Sequence, residues 1–295
     1  MIVETLKVYV TVVEQSNFSR AAEILNLSQP SVSQHIRNLE NEFGVKLMHR
    51  SPHRVKTTEA GDILYKRAKQ ILTTYEVAKE EIHLLRGEVT GALKVGASFT
   101  IGEYILPHLL AKFVLQYPHV DIQAKIANTD EIAQGVLANE LGIGLVEGNV
   151  EYKDILVTPP FMEDEMVLVA PRNHPLSLQK IIEPGVLQDQ VWVLRENGSG
   201  TRAFSDQFIG ELGLCIKRSF IFNSNQGVKE AVVAGLGLAL LSRWVIRTEL
   251  ESGELCSISV KGQRFARYFS ILLDPKSSDT MAVKMFIQKL RQFKM

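Results

Sequence analysis

The sequence predicts a multidomain α+β protein: a small N-terminal helical module closed by a hairpin, one long helix, and a C-terminal α/β region in two parts. Three observations predict it. The first 58 residues carry short apolar stripes at helical spacing, broken by polar capping residues. An apolar repeat in alternating steps of four and three then runs from Leu64 to Leu85. From residue 91 onward, extended and helical patterns alternate to the end. A length of 295 residues fits more than one domain, and 45% hydrophobic with 22% charged residues excludes the disordered, collagen-like and disulfide-scaffold classes.

Lysine plus arginine number 33 and so do aspartate plus glutamate, which excludes a generally basic nucleic-acid coat but leaves room for a local basic module. The longest apolar run, Ala231 to Leu241, holds eleven residues, well short of the ~20 a membrane span needs. Glu4 and Lys7 interrupt the N-terminus, so no signal peptide is expected. Cys215 and Cys256 stand 41 residues apart without metal-ligand spacing. A cytoplasmic protein without metal, cofactor or membrane attachment is expected.

Residues 1–58 hold seven Lys/Arg against five acids, and Ser28 to Thr58 five against two. Leu6, Tyr9, Val10 and Val13 give a first amphipathic helix. Asn17-Phe18-Ser19 breaks it, and Ser19 is expected to cap a short helix carrying Ala21, Ala22 and Leu25. After Asn26-Leu27-Ser28, Ser28 can cap a third helix with Pro30 in its first turn. Two short helices on a tight turn suit a helix-turn-helix. In the third, Val32, Ile36, Leu39 and Phe43 form one stripe, while Pro30, Gln34, Arg37 and Asn41 project oppositely, flanked by Gln29 and Ser33. That face lacks a carboxylate and suits base edges and phosphate, although an ordinary solvated face has the same pattern. Lys46 to Arg50 and Arg54 to Thr57 read as two short strands around Ser51-Pro52-His53, a basic wing able to follow a DNA backbone.

Phe18-Ser19-Arg20-Ala21-Ala22, Leu27-Ser28-Gln29-Pro30-Ser31-Val32-Ser33, Ile36-Arg37-Asn38-Leu39-Glu40, Gly44-Val45-Lys46-Leu47, Arg50 and Thr57-Thr58-Glu59-Ala60-Gly61 closely resemble the LysR-type transcriptional regulators. The resemblance implies a winged helix-turn-helix with Gln29 to Arg37 on the recognition helix. DNA contacts are accordingly expected from Ser19, Gln29, Pro30, Ser31, Ser33, Gln34, Arg37, Arg50 and Arg54.

Thr58 can cap the next helix, with Glu59 and Asp62 at its positive end. Leu64, Ala68, Ile71, Tyr75, Ala78, Ile82 and Leu85 recur at steps of 4, 3, 4, 3, 4 and 3, and Gly87 is a stop. So narrow a seam favours pairing with a second copy, the alternative being a long helix packed on its own domain. A helix of about 28 residues spans roughly 42 Å. The resemblance agrees with pairing, and implies a homodimer that assembles to a homotetramer. Domain boundaries follow as 1–58 (winged helix-turn-helix), 59–90 (linker helix for dimerisation) and 91–295 (effector domain).

In residues 91–295 the expected order is strand 93–97, helix 101–117, strand 120–126, helix 129–139, strand 143–146, strands 166–170 and 191–194, a helix from Thr201, strand 219–222, a helix from Gln226, and strands 236–241 and 269–273. A helix at 279–293 completes it. Alternation of this kind implies parallel sheets with crossover helices and a cleft between two halves. The resemblance implies a two-lobed effector domain like periplasmic solute-binding proteins, with crossovers near 161–163 and 262–268. Lobe one is then 91–161 with 268–295, and lobe two is 162–267. Gly142 stands where many members carry aspartate, which puts any cleft role of that acid in doubt.

The strongest effector candidate is Asn197-Gly198-Ser199-Gly200-Thr201-Arg202. Small residues let the backbone approach a ligand, a helix start offers N–H groups, and Arg202 adds a positive fork suited to a carboxylate, phosphate or sulfur oxyanion. A glycine turn with Ser199 as a cap is the alternative. Ser98-Phe99-Thr100 matches the family's primary effector loop, with Phe99 as a wall. Thr129 and Asn223-Ser224-Asn225 begin later helices. The expected effector residues are Ser98, Phe99, Thr100, Thr129, Ser199, Gly200, Thr201, Arg202, Asn223 and Ser224, each of the others equally able to be a plain cap. The turn at Gly235-Leu236-Gly237 follows a helix and enters a strand, the reverse of a dinucleotide loop. No G-x-S-x-G, HExxH or P-loop is present, so no enzyme is expected. The expected protein binds promoter DNA, contacts RNA polymerase and answers to a small anionic metabolite. A solute-binding protein fused to an interaction module would leave the N-terminal motif idle.

Overall fold

The capping residues decide where each helix of the N-terminal module begins. The computed structural model describes residues 2–51, 54–84, 89–148, 154–179, 181–275 and 280–293. They fall into two compact units, residues 1–89 with 276–281 and residues 90–275 with 282–295.

In the first unit, α1 spans Ile2–Gln15, α2 Phe18–Leu25 and α3 Gln29–Phe43. Asn17, extended at φ −155°, accepts from Arg20 N at 3.0 Å and caps α2. The expected cap, Ser19, lies instead in the first turn, because the break starts one residue after Ser16, whose φ is +48°. Ser28 caps α3, accepting from Ser31 N at 3.3 Å, with Pro30 in the first turn. Val32, Ile36 and Leu39 of α3 are fully buried with Val8, Tyr9, Val12 and Ala21, each large side chain contributing about 1.5–3 kcal/mol. Strands β1 (Met48–Ser51) and β2 (Arg54–Thr57) form an antiparallel hairpin. Buried Glu40 holds its entry, accepting from Leu47 N at 3.1 Å and pairing with Lys46 at 2.8 Å.

Helix α4 runs Glu59–Leu84, and Thr58 caps it, accepting from Gly61 N at 3.0 Å while donating to the Lys46 carbonyl at 2.8 Å. Gly61 is a close crossing, since a Cβ there would stand 2.1 Å from the Leu47 carbonyl oxygen. The expected dimer seam splits along this helix. Ala68 is fully buried in the unit's own core, with Leu64 and Leu72 packed on the same cluster, so Leu64 and Ala68 serve the fold of one copy. Ile71, Tyr75, Ala78 and Ile82 are exposed. Leu85 and Gly87 lie outside the described residues.

In the second unit β3 (Gly91–Ser98) pairs in parallel with β4 (Val120–Ala127) and β5 (Ile143–Glu147). Helices α5 (Phe99–Tyr104), α6 (Leu106–Gln116) and α7 (Thr129–Leu137) connect them. The single helix expected over 101–117 is two, because Pro107 brings no N–H to the first turn of α6 and the chain breaks at Ile105. Gly96 and Gly144 let α7 sit close, a Cβ at Gly144 lying 2.9 Å from Ile132 Cγ2. Strand β6 (Leu156–Val157) and the long strands β7 (Met162–Pro171) and β12 (Ala266–Leu273) follow. β12 pairs antiparallel with β5, with β6 and with β7, so the sheet is mixed where a parallel one is expected. The reason lies in β7 and β12, which carry the chain out of one half and back, side by side, from Met162↔Phe269 to Glu165↔Ala266.

Beyond this ribbon stand β8 (Val191–Arg195), α8 (Gly200–Glu211), β9 (Arg218–Phe222), α9 (Asn225–Val233), β10 (Ala239–Ser242), α10 (Arg243–Ser252) and β11 (Leu255–Ile258), with α11 (Met281–Gln292) closing the chain. β8 and β9 are parallel, whereas β10 and β11 pair antiparallel with β7. α10 and β11 have no counterpart in the sequence reading, and β10 starts three residues later than expected. Met166, Leu168 and Ala170 of β7 enter one apolar core and Val167 and Val169 another, so both faces of this strand are covered.

Candidate nucleic-acid interface and effector cleft

Burial of one stripe of α3 leaves the other outward. Gln29, Pro30, Gln34, Arg37, Asn38 and Asn41 are exposed, and Gln34 donates to Asn38 at 2.9 Å. Ser31 is half-buried. Ser33, expected on the edge of the reading face, is 5% exposed and accepts from Gln29 Nε2 at 3.0 Å, because its position rotates toward the core beside Val32 and Ile36. Ser19 is exposed in the first turn of α2. Arg50 and Arg54 pair with Val55 and Ser51 across the hairpin, while their side chains lie outside the description. The outward face holds amides and a guanidinium without a carboxylate, chemistry that can donate to phosphate and to purine acceptors.

In the second unit, the strand ends deliver helix N-termini to one place. Thr100, near the start of α5, and Thr201, near the start of α8, are both buried and both bonded to one guanidinium. Arg267 Nη2 donates to Thr100 Oγ1 at 3.1 Å and Nη1 to Thr201 Oγ1 at 3.0 Å. The same side chain, 4% exposed as a residue, pairs with Glu147 at 2.7 Å and Asp164 at 2.7 Å. Asp164 also accepts from Ser242 Oγ at 2.6 Å. Arg267 thus ties the end of β5, both long strands and two helix starts into one buried network.

A second guanidinium lies beside it. Arg195, 1% exposed at the end of β8, bonds Glu196 at 2.8 and 2.9 Å and Asn225 Oδ1 at 2.6 Å, and stacks over the Phe99 ring at 4.6 Å. Phe99, expected as a wall, packs its ring against that guanidinium. The start of α7 adjoins the loop before α8, Asp130 N donating to the Gly198 carbonyl at 3.2 Å.

The glycines of that loop work differently from the expectation. A Cβ on Gly200 would stand 2.4 Å from the Glu147 carbonyl oxygen, and one on Gly198 would stand 2.7 Å from Asp130 Oδ2. They let the loop approach β5 and α7, a protein contact where a ligand contact is expected. Arg202 is likewise engaged, with its Nε–H shared between the two Asp206 oxygens at 2.9 Å and Nη1 donating to the Arg195 carbonyl at 3.1 Å. Asn223 is exposed, and Ser224 caps α9 by accepting from Gly227 N at 3.0 Å. Gly142 donates its N–H to the Lys94 carbonyl at 2.9 Å at the opposite end of β5 from Glu147, so the family's aspartate position is remote from this buried network.

Three expected residues have a different property. Ser98, Thr129 and Ser199 are buried, and their hydroxyl oxygens have no hydrogen-bond partner among the described residues. An unsatisfied buried hydroxyl costs about 1–3 kcal/mol. Sequence reasoning missed Glu147, Asp164, Arg195 and Arg267, and named Asn225 only within the Asn223-Ser224-Asn225 helix start, not among the expected effector residues. The signal was available for the first four: a charged residue inside or closing an otherwise apolar strand, as in IGLVE, VWVLR and ARYFSILL, or beside one, as in MEDEMVLVA.

The family "LysR substrate binding domain" matches residues 86–294, and "Bacterial regulatory helix-turn-helix protein, lysR family" matches residues 3–62. The chain is 45% identical over 291 residues to the HTH-type transcriptional regulator CysL of Bacillus subtilis, covering 99% of this chain and 97% of CysL. A full-length OxyR variant of Pseudomonas aeruginosa superposes with a TM-score of 0.77 at 23% identity, covering 99% of this chain and 95% of that one. The Synechocystis CcmR regulatory domain, solved in complex with 2-PG, gives a TM-score of 0.64 at 25% identity over 69% of this chain and 97% of that one. The protein belongs to the LysR family: it is a DNA-binding transcriptional regulator with a C-terminal effector-binding domain.

Proposed function

We propose that this regulator binds dyad-symmetric promoter DNA as a homodimer that assembles to a homotetramer, and alters its contact with RNA polymerase when a small anionic metabolite enters the cleft. In this reading residues 1–58 read DNA, 59–90 pair two copies and 91–295 sense the effector, in lobes 91–161 with 268–295 and 162–267. The protein works in the cytoplasm and does not turn its effector over. Among the described residues no helix is long and apolar enough to cross a membrane.

One observation carries the effector assignment: the partnerless buried hydroxyls of Ser98, Thr129 and Ser199, at the starts of three helices. Helix starts carry about +0.5 of a charge, and their N–H groups and hydroxyls suit an oxyanion. The formal charges nearby give no positive excess, two cations (Arg195 and Arg267) facing three carboxylates (Glu147, Asp164 and Glu196). Attraction for an anion then rests on dipoles and hydroxyls, with Ser98, Thr100, Thr129, Ser199 and Thr201 as the binding residues. The anion bound by CcmR is consistent chemistry. DNA contact is assigned to Gln29, Pro30, Gln34, Arg37, Arg50 and Arg54, and pairing of copies to Ile71, Tyr75, Ala78, Ile82 and Leu85.

Two measurements test this. Thermal melts with sulfate, phosphate and 2-phosphoglycolate should show one anion stabilising the protein, by about 2.7 kcal/mol at 100 times its dissociation constant. Ser199→Ala should lose that shift. Footprinting on promoter DNA should show separated protected half-sites, weakened in the Gln34→Ala/Arg37→Ala double variant. A flat melt for every anion would remove the effector assignment, and unchanged protection by the double variant would remove the reading face.

A further inference from the structure

Thr100 is completely buried, and its Oγ1 accepts two hydrogen bonds, from Arg267 Nη2 and from Asn225 Nδ2, each at 3.1 Å. Both directions are fixed by chemistry. A guanidinium only donates. The Asn225 amide is held at its other end by Arg195 Nη1, which donates to Asn225 Oδ1 at 2.6 Å, so the amide NH2 has to face Thr100. Donors therefore run into one hydroxyl oxygen from both sides: Arg195 to Asn225 to Thr100, and Arg267 to Thr100. A hydroxyl has two lone pairs and one proton. With both lone pairs engaged, only the proton remains, and no described residue accepts it.

We propose that Arg195, Asn225 and Arg267 are positioning residues that set the polarity of the cleft: they commit the Thr100 hydroxyl to donate, so that the site selects a ligand presenting an oxygen acceptor there, as an oxyanion does, over one presenting only N–H. The inference rests on the cleft being the effector site. A ligand N–H at this point would meet a proton that cannot turn away, because turning would break a bond from an arginine-anchored donor. Polar sites reject a ligand strongly when it leaves their buried groups unpaired. The role also accounts for two arginines whose charges are already outnumbered by those of Glu147, Asp164 and Glu196. They contribute direction.

The test uses the full chain, with titration calorimetry and thermal melts against sulfate and 2-phosphoglycolate. Asn225→Asp keeps the contact with Arg195, but its second oxygen accepts the Thr100 proton and withdraws it from the ligand. We expect anion affinity to fall about 10- to 100-fold, the worth of one hydrogen bond to a charged group, without a lower melting temperature. Thr100→Ser should bind like the wild type. Because aspartate also adds a charge, the variant is repeated in a Thr100→Ala background. If the effect passes through Thr100, the penalty shrinks there to under about 3-fold. A penalty of the same size in both backgrounds, or wild-type affinity in Asn225→Asp, overturns the proposal while leaving the effector site standing. Failure of both anions to bind the wild type removes the two together. Should Asn225→Asp melt early, Asn225→Ala in the same cycle decides the matter, since it too removes the donor to Thr100.

Discussion

Replacing Arg267 with methionine removes the centre of the network between the strand ends. The side chain is 2% exposed and faces Glu147 at 2% and Asp164 at 0%, at 2.7 Å from each. Water therefore cannot take over from the lost cation. Removing one partner of a buried ion pair typically costs about 3–5 kcal/mol, because an uncompensated charge stays behind. Here two carboxylates are stranded, and the hydroxyls of Thr100 and Thr201 lose a donor. The upper part of that range is expected. For a unit of this size each kcal/mol is worth roughly 2–4 °C, so the C-terminal unit should melt some 8–20 °C lower. Calorimetry or urea denaturation of the full chain measures it. The triple variant Arg267→Met/Glu147→Gln/Asp164→Asn should recover most of the loss, because neutral amides tolerate burial far better than bare carboxylates. A loss under about 1 kcal/mol in Arg267→Met, or no recovery in the triple variant, would refute the account of this network.

Gly200→Ala should destabilise the same unit by about 1–3 kcal/mol, read in a melt, because its Cβ meets the Glu147 backbone, which is part of β5 and yields little. In the linker helix, Ala68→Asp should cost roughly 3–5 kcal/mol by burying a lone charge. Ile82→Asp, at a position 60% exposed, should leave stability almost unchanged and shift the protein toward monomer in sedimentation. His174 is half-buried, and burial lowers its pKa below the ordinary histidine value of 6.5. Its unfolded form takes a proton first as pH falls, so its contribution to stability is intact above about 6.5 and lost as pH drops from there through the folded pKa. His174→Asn should flatten that part of the urea-midpoint curve relative to the wild type.

What was legible in the sequence follows the range of the interaction behind each feature. Helix starts are local: Ser28 and Thr58 cap within three residues, and their partners are visible in the string itself. Ser19 failed as a cap by two residues because Asn17, with an amide oxygen at the right distance, wins the same donors. The heptad over Leu64 to Leu85 says that one stripe of α4 is apolar, and it cannot say whose apolar surface meets it. Ala68 meets its own core, and Ile82 does not. At the cleft, the hydroxyls at helix starts were found because strand-to-helix turns show in the pattern. Arg267 was not, because its partners lie 66 to 167 positions away and nothing near it in the chain reports them. Arg202 was overvalued for the matching reason, since Asp206, one turn along the helix, was there to claim it.

The polarity of the cleft also sets how much work an effector can do. An equilibrium between two lobe arrangements moves only by the difference in binding energy between them, and about 5.5 kcal/mol carries it from 1:99 to 99:1. In the proposed reading, effector bonds to Ser98 and Thr129, on the half built from β3, β4 and β5, would exist in either arrangement and contribute nothing to that difference. Only bonds made to the second half, from Ser199 and the first N–H groups of α8, would then depend on the halves meeting. Hydrogen bonds to a charged ligand are worth about 1.5–3 kcal/mol each, so about two to four suffice for a nearly complete switch. A ligand too short to span both halves would bind without switching. Such a ligand, found by calorimetry and silent in a promoter assay, would act as a competitive antagonist of the true effector. If every anion that bound the cleft switched transcription regardless of its length, this division of labour between the halves would be wrong.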